Sequence, residues 1–302
     1  MSNLKQNVCP VCKSKAIAIH FEDMQDLTFK ATDENYNLFS CSDCDTKFQN
    51  PLIPENEVAK YYPTSTYEPF RIKLKPIELT RKYNPQSIYL NIFEKYNTND
   101  IFSLIDVGCG GGTFLNSVKH YFPNAKIIGV DVSQSAIDSL IANGIEGICS
   151  SLYDFSVDQK FDFIVSSQVL EHLSKPYDFI NKLKDLSNNK TICFIDIPAT
   201  DSYSAQKYGR NWIHWDLPRH SIMYSKKSLE VLFKDYKNLD FFYGRSIYGI
   251  ISSHHLKLGN NIYDRPRFER LFASLLTKVG AFFNLKYFFD DKIIVIGNLR
   301  EN

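Results

Sequence analysis

Residues 106–114 have the sequence DVGCGGGTF, a glycine-rich loop between an apolar run and an amphipathic stretch. The apolar run predicts a buried strand over residues 101–107, and the amphipathic stretch predicts a helix over residues 113–121. Glycines adopt backbone angles that other residues avoid, so such a loop lets the main chain approach a ligand closely. The unpaired amides at the start of the helix then face that ligand. The stretch therefore predicts a ligand-binding loop between a strand and a helix.

Apolar runs and amphipathic stretches alternate from residue 101 onward. This alternation is typical of β-α-β units and a mostly parallel sheet. Strands are predicted at residues 101–107, 126–131, 145–149, 161–166, 191–197, 239–243 and 292–298. We therefore expect an α/β fold with a Rossmann-like, seven-stranded, mostly parallel sheet and helices on both faces.

Two acidic residues stand at the ends of neighbouring predicted strands, Asp106 on the first and Asp131 on the second. A carboxylate at such a position can accept hydrogen bonds from both hydroxyls of a ribose. The loop lacks the Gly-Lys-Ser/Thr ending of a phosphate-binding P-loop. Its glycines also lack the G-x-G-x-x-G spacing of nicotinamide-dependent dehydrogenases. Both of those classes are therefore disfavoured.

Four motifs follow one another between residues 100 and 200: DVGCGGGTF, GVDVS at 129–133, LYDF at 152–155 and QVLEHL at 168–173. In this order they resemble the class I S-adenosylmethionine-dependent methyltransferases. The resemblance implies S-adenosylmethionine (SAM) as the cofactor. It places the parts of SAM as follows: the methionine part beside Gly108, Gly110 and Gly112, the amino group at Asp106, the ribose at Asp131, the adenine between Tyr153 and Asp154, and the sulfonium near Gln168.

Two cysteine pairs lie near the start of the chain. Cys9 and Cys12 form one C-x2-C motif, and Cys41 and Cys44 form a second. Two thiolates from each turn can converge on one tetrahedral zinc ion, although four unrelated thiols are the alternative. Four protein ligands leave no open position on the metal. We therefore expect a small zinc ribbon over residues 1–50, with a structural zinc ion and strands between the two pairs.

Transfer of a methyl group to a hydroxyl requires a base that removes the proton. His172 is one candidate, because it follows the fourth predicted strand of the domain. Its surroundings resemble the E-x-x-E-H segment of ubiquinone-biosynthesis O-methyltransferases, which binds a divalent metal. Here Gln168 replaces the first carboxylate, which puts that metal in doubt. The alternative for His172 is a helix-start residue that satisfies nearby backbone groups.

Residues 211–220, NWIHWDLPRH, supply a second candidate, His220. We prefer His220 as the general base because a neutral imidazole accepts protons near physiological pH. The segment resembles a branch of the family that is associated with cell-surface glycan biosynthesis. Its other aromatic and charged residues are interpreted as substrate-binding, and a core-packing loop is the alternative: Trp212, His214, Trp215 and Arg219, the last for a phosphate or carboxylate.

The segment before the predicted domain, residues 51–100, is rich in proline and tyrosine and is predicted to form a linker and helical cap. Tyr61 and Tyr62 within it are candidates for covering the cofactor or the acceptor. Residues 101–302 form the predicted methyltransferase domain. It carries a substrate insertion at about 199–225 and a helical insertion at about 246–290, part of which suits packing or a homodimer face.

The net charge of +1 does not favour a nucleic-acid partner. No apolar run approaches the ~20 residues of a membrane span, and the polar start of the chain lacks a secretory signal, so a cytoplasmic location is expected.

The sequence therefore predicts SAM-dependent O-methylation of a sugar, a glycan intermediate or another small polar acceptor, with a histidine base. The alternatives are a C-methyltransferase acting on a nucleotide-linked sugar, a quinone-type O-methyltransferase, and a non-catalytic module that only binds the cofactor.

Overall fold

The computed structural model describes residues 5–62, 101–245, 247–259 and 290–299. These residues form two sheets. Their strands are β1 (Ile17–Met24), β2 (Tyr36–Cys41), β3 (Lys47–Gln49), β4 (Ser103–Val107), β5 (Lys126–Asp131), β6 (Glu146–Cys149), β7 (Phe163–Ser167), β8 (Ile192–Pro198), β9 (Ile222–Met223), β10 (Tyr236–Arg245) and β11 (Asp290–Leu299). The described helices are α1 (Glu55–Val58), α2 (Thr113–Tyr121), α3 (Gln134–Ala142), α4 (Pro176–Leu186), α5 (Tyr203–Tyr208), α6 (Lys226–Leu232) and α7 (Ile247–Lys257).

The larger sheet has seven strands in the order β10-β11-β8-β7-β4-β5-β6. Strands β8, β7, β4, β5 and β6 run parallel to one another, while β11 is antiparallel to both β8 and β10. Buried apolar residues of the central strands pack against helices, as in Leu104 of β4 and Leu115 of α2. This architecture confirms the predicted α/β fold class. It also brings the carboxyl ends of the parallel strands to one edge, where ligands bind in such sheets.

Individual residues of the sequence explain where the helices at this edge begin. Gly112 precedes α2 with φ of 74°, a left-handed conformation that glycine adopts without a steric penalty. Helix α3 begins after Ser133, whose hydroxyl accepts a hydrogen bond from the amide of Ala136 at 3.3 Å. The helix predicted over residues 113–121 is confirmed as α2.

The smaller sheet has four strands in the order β1-β2-β3-β9, all antiparallel. Strands β1 and β2 match the predicted strands between the two cysteine pairs. Strand β9 comes from the predicted substrate insertion and pairs with β3 through Lys47 opposite Met223 and Phe48 opposite Ile222. The N-terminal sheet is therefore completed by the segment that follows His220.

Part of the predicted cap region, residues 63–100, and part of the predicted helical insertion, residues 260–289, lie outside the described residues. None of the described helices combines the length and the apolar composition that crossing a membrane requires.

Candidate active site

The glycine loop after β4 packs closely on two neighbouring elements. Gly108 has φ of 80°, and a Cβ atom built on it would lie 2.2 Å from Cγ2 of Val169. A Cβ on Gly112 would lie 2.2 Å from Cδ1 of Leu140 in α3. The amide of Gly108 donates to the carbonyl oxygen of Val130 at 2.8 Å. The loop therefore requires glycine both for its backbone angles and for space.

Asp131 and Asp106 stand at the ends of β5 and β4, beside this loop. The Asp131 carboxylate accepts hydrogen bonds from the amides of Gly110, at 2.8 Å, and Ser133, at 2.9 Å. Burial, together with the nearby charge of Asp131, raises the pKa of Asp106 to about 8. Two carboxylates that are costly to ionise side by side favour a ligand that carries positive charge.

The loop that follows β7 contacts the glycine loop, because Val169 packs against Gly108. Its first residue, Gln168, has φ of 57°, a conformation rare for a residue with a side chain. The Gln168 amide donates to the carbonyl oxygen of Asp196 in β8 at 2.7 Å. Such backbone strain is concentrated at functional sites. Gln168 directly follows β7 and so lies at the carboxyl edge of the sheet.

Glu171, His172 and His220 form a cluster at the same edge. One nitrogen or oxygen atom of each lies within 4.8 Å of the others. The sequence drew attention to both histidines, and the structure brings them together although they come from different loops. Glu171, the residue before His172 in the QVLEHL motif, was expected to line the site with it, but it was given no chemical role.

The Glu171 carboxylate is 1% exposed, and among the described residues neither of its oxygens has a hydrogen-bond partner. Burial, and then the charge of Asp196 close by, raises its pKa well above the usual range of a glutamate. An unsatisfied buried carboxyl group is costly, and it indicates a place where a ligand supplies the missing hydrogen bonds.

Both histidine rings are held by backbone carbonyl groups. Nδ1 of His220 lies 2.7 Å from the carbonyl oxygen of His214, and Nδ1 of His172 lies 3.1 Å from that of Arg219. Burial, and then the proximity of His172, lowers the pKa of His220 to about 3, and burial also lowers the pKa of His172. Both rings are therefore neutral at physiological pH, and a pKa this low makes His220 a weaker base than the near-physiological imidazole expected from the sequence.

Tyr62 contacts this cluster, because its hydroxyl lies 2.8 Å from Nδ1 of His172. Tyr61 is buried one residue earlier, at the end of a short 3-10 turn. Tyr153, predicted to lie beside the adenine, is partly exposed and donates to Glu55 of α1 at 2.9 Å. Asp154 is exposed close by and accepts a hydrogen bond from Ser151.

The two tryptophans of residues 211–220 are core residues. Trp212 is 1% exposed and donates to Oδ1 of Asp291 at 2.7 Å, and Trp215 donates to the carbonyl oxygen of Gly209 at 2.8 Å. Nε2 of His214 also lies 2.7 Å from the Asp291 carboxylate. These contacts favour the alternative of a core-packing loop over the predicted role of these residues in substrate binding.

Arg219 uses all five of its N–H groups inside the protein. It donates to both oxygens of Asp26, to both oxygens of Asp216 and to the carbonyl oxygen of Tyr61, at 2.6–3.2 Å. The side chains of Arg219 and Asp26 are fully buried. Since no donor is left for a phosphate, the geometry favours a structural role that joins the N-terminal sheet to the insertion, instead of the predicted substrate contact.

The four N-terminal cysteines also converge. The Sγ atoms of Cys9 and Cys44 are 3.6 Å apart, those of Cys12 and Cys41 are 3.5 Å apart, and all four lie within 4.8 Å of one another. Zinc–sulfur bonds of about 2.3 Å in a tetrahedron place sulfur atoms about 3.8 Å apart. The cluster therefore fits the geometry of a four-thiolate zinc site.

A family model described as a methyltransferase domain matches residues 70–237, more than half of the chain. The chain belongs to this methyltransferase family. The ubiquinone biosynthesis O-methyltransferase of Bartonella tribocorum is 24% identical over 147 residues, which cover 46% of this chain and 56% of that protein. The mitochondrial ubiquinone biosynthesis O-methyltransferase of Dictyostelium discoideum is 27% identical over 147 residues, covering 41% of this chain and 42% of that protein. The chain thus spans about half the length of these relatives.

Among solved structures, the methyltransferase domain is similar to coclaurine N-methyltransferase bound to N-methylheliamine and S-adenosylhomocysteine (SAH). The TM-score is 0.50 with 15% identity, and the match covers 75% of both chains. At this identity the likeness supports the fold.

Several residues of the site were not predicted. Asp26 and Asp291 were missed because their partners are distant in the chain, as with the separation of 193 positions between Asp26 and Arg219. No local signal marks such pairs. Asp216 lies only three positions from Arg219, but no role was predicted for it. The position of Glu171 at the site was expected from the QVLEHL motif, which follows a predicted buried strand, but its unpaired carboxyl group was not.

Proposed function

We propose that the protein transfers the methyl group of SAM to a hydroxyl group of a small polar acceptor, a sugar or a glycan intermediate. One observation carries this proposal. A Cβ on Gly108 would collide with Val169, so the glycine loop and the loop that bears Glu171 and His172 are in direct contact. A donor bound at the first loop would therefore adjoin an acceptor bound at the second.

The described residues fit SAM. Its ammonium and sulfonium groups are positively charged, and Asp106 is a buried carboxyl group whose ionisation a cation would favour. Asp131 would hold the ribose hydroxyls with the lone pairs that Gly110 and Ser133 leave available. When bound, SAM supplies an activated methyl group that leaves a sulfonium.

The acceptor hydroxyl would lie at the cluster of Glu171, His172 and His220. The Nδ1–H of His220 is committed to a carbonyl group, so its Nε2 is the proton acceptor. Nε2 lies 3.8 Å from Oδ2 of Asp216. Burial alone would raise the pKa of Asp216, but the charge of Arg219 keeps this pKa far below its usual value. The positive charge formed on His220 would therefore meet an ionised carboxylate.

We also propose that Cys9, Cys12, Cys41 and Cys44 bind one structural zinc ion. Their spacing supports this assignment, as does the local backbone. Lys13 and Asp45, each directly after the second cysteine of its pair, both have positive φ, of 63° and 64°. Both cysteine turns thus end in a residue with a left-handed backbone.

Isothermal titration calorimetry with SAH tests the cofactor. We expect binding in the micromolar range, and about 10–100-fold weaker binding for Asp131→Asn, because a charge-assisted hydrogen bond is lost. Asp138→Asn is the matched control, since Asp138 is an exposed carboxylate on the next helix. No binding of SAH by the wild-type protein would overturn the proposed function.

A quinone-type acceptor is the second candidate, favoured by the names of the two relatives above. The sugar and quinone hypotheses predict that different acceptors are methylated. We expect methylated product, seen by mass spectrometry, with hydroxylated sugars and none with prenylated catechols. The reverse result would favour the second candidate, and product NMR distinguishes O-methyl from C-methyl groups.

A further inference from the structure

Asp291 is a buried acidic residue that the proposed function leaves without a role. It lies in β11, beside the carboxyl end of β8, because its carbonyl oxygen accepts a hydrogen bond from the amide of Ala199 at 3.1 Å. Its side chain is fully buried. A buried carboxylate is costly unless partners satisfy its charge and its hydrogen bonds. The partners of Asp291 therefore show what this residue holds in place at the carboxyl edge of the sheet.

Three donors of the predicted substrate insertion surround the Asp291 carboxylate. Oδ1 accepts from Nε1 of Trp212 at 2.7 Å and from the hydroxyl of Ser204. Oδ2 lies 2.7 Å from Nε2 of His214. Since these donors come from residues 204–214 and converge on one residue of the sheet, Asp291 fixes the position of this part of the insertion.

His214 and Asp291 favour each other's charged form. Burial opposes charge on both groups, but each charge stabilises the other, so that the pKa of Asp291 is lowered and the pKa of His214 is raised. Helix α7 packs directly on the pair, because a Cβ atom built on Gly249 would collide with Oδ2 of Asp291 and lie 2.7 Å from Nε2 of His214. The ring of His214 is therefore held by an ion pair and by the backbone of a helix.

The main chain of His214 contacts the proposed base. Its carbonyl oxygen lies 2.7 Å from Nδ1 of His220. The turn Ile213–Trp215 carries this carbonyl group, and the first amide of the turn donates to the hydroxyl of Ser253 in α7 at 2.9 Å. A carbonyl oxygen can only accept, so its position determines which nitrogen of His220 carries the proton.

We infer that Asp291 is a positioning residue for His220. By holding His214, it keeps the carbonyl oxygen of that residue against Nδ1 of His220, and Nε2 of His220 remains the atom that takes the proton of the acceptor hydroxyl. Asp291 acts through His214 and takes no proton itself. This inference rests on the proposed function and deepens it, because it adds β11 to the elements that build the site.

Nitrogen-15 NMR of the full-length protein tests this link, because it distinguishes the two tautomers of a neutral imidazole. The signals of His220 are identified by their absence from the spectrum of His220→Ala. At pH 7 we expect the wild-type protein to carry the His220 proton on Nδ1. Asp291→Asn removes the charge, and an asparagine cannot accept hydrogen bonds with both of its terminal atoms.

Two variants of His214 separate the hydrogen bond from the fold. His214→Leu loses the donor to Asp291, whereas His214→Gln keeps an N–H group that can reach it. Asp291→Asn and His214→Leu should give a mixture of His220 tautomers and lower kcat about tenfold, the effect of one lost hydrogen bond, with KM and SAH affinity unchanged. His214→Gln should remain close to the wild-type protein in both measurements.

Ser204→Ala is the matched control, because it removes another hydrogen bond of the same carboxylate outside the turn that contacts His220. It should lower the thermal stability and leave the tautomer and kcat unchanged. A loss of kcat equal to that of His214→Leu would show that activity follows stability alone, and would overturn the inference.

Two further results would overturn it: a wild-type tautomer and kcat in both Asp291→Asn and His214→Leu, or equal losses in His214→Gln and His214→Leu. If Asp291→Asn does not fold, the two His214 variants decide the result. SAH binding by the wild-type protein tests the proposed function separately. A changed His220 tautomer in variants of a protein that binds no SAH would reject the methyl transfer and retain the link from Asp291 to His220.

Discussion

The imidazole rings of His172 and His220 meet edge to face, with their centroids 4.6 Å apart. Each ring has Nδ1 within hydrogen-bond distance of a carbonyl oxygen, which can only accept. Nδ1 of His220 therefore carries the proton and its Nε2 is left as an acceptor, whereas Nδ1 of His172 also lies 2.8 Å from the Tyr62 hydroxyl, which can donate or accept. Two neutral imidazole rings lie side by side at the carboxyl edge of the sheet.

His220→Ala should lower kcat about 10²–10⁴-fold, the usual contribution of a positioned general base. The affinity for SAH should stay unchanged, because His220 does not belong to the glycine loop. Steady-state kinetics and calorimetry measure the two quantities. His254→Ala, which changes an exposed histidine of α7, is the control. A kcat equal to that of the control would remove His220 from the mechanism.

Glu171→Gln should stabilise the protein more at pH 8 than at pH 5. The pKa of Glu171 is raised on folding, so the folded state keeps the proton longer than the unfolded state. Stability is therefore lost as the pH rises above the unfolded value of about 4.3 and through the raised folded value. Glutamine does not ionise and avoids this loss.

Thermal denaturation at both pH values measures the effect, which should reach about 1–3 kcal/mol at pH 8. Glu146→Gln changes an exposed glutamate of β6 and should show no such difference. Equal effects of Glu171→Gln at both pH values would contradict the assigned direction of the pKa shift.

Gly108→Ala should weaken SAH binding at least about tenfold. The added methyl group would collide with Val169 and displace the glycine loop, which is proposed to hold the cofactor. Val169→Ala in the same chain removes the colliding atom and should restore part of the affinity. Gly209→Ala controls for backbone strain alone. Gly209 also has positive φ, and a Cβ there would have no described atom within 4 Å. No recovery in the double variant would show that the contact with Val169 is not the cause.

The seven-stranded sheet and the glycine loop were predictable because the sequence patterns that indicate them are local. The central strands of the large sheet contain short apolar runs, and the glycines at residues 108–112 follow one of these runs directly. Strand β9 was missed because two residues, Ile222 and Met223, are too short to show a periodic pattern.

The roles of residues 211–220 were harder to predict for a different reason. The composition of a segment shows which groups are present, and not which way they face. Trp212 and Trp215 could cover a sugar or fill a core, and the choice depends on Asp291 and Gly209, whose contacts fold the segment inward. Arg219 likewise has a partner, Asp26, that no spacing rule identifies.

Arg219→Met should destabilise the protein by about 3–5 kcal/mol, because it leaves two buried carboxylates, those of Asp26 and Asp216, without their counter-charge. Denaturant unfolding measures the loss. Arg210→Met, which changes an exposed arginine, should cost less than about 1 kcal/mol. A normal stability with a raised KM for the acceptor would instead support the original prediction of a substrate contact.

Purified protein should contain about one zinc ion per chain, measured by plasma mass spectrometry, and Cys44→Ser should lose it. The loss of a structural metal should lower the free energy of unfolding by more than about 4 kcal/mol. It should also reduce kcat, because β3 pairs with β9, and the carbonyl oxygen of Ser221, next to His220, accepts from Gln49 at the end of β3. Cys149→Ser, at an exposed cysteine outside the cluster, should keep both zinc and activity. Full activity in a zinc-free Cys44→Ser protein would show that the N-terminal sheet and the catalytic cluster are independent, despite the strand pairing that joins them.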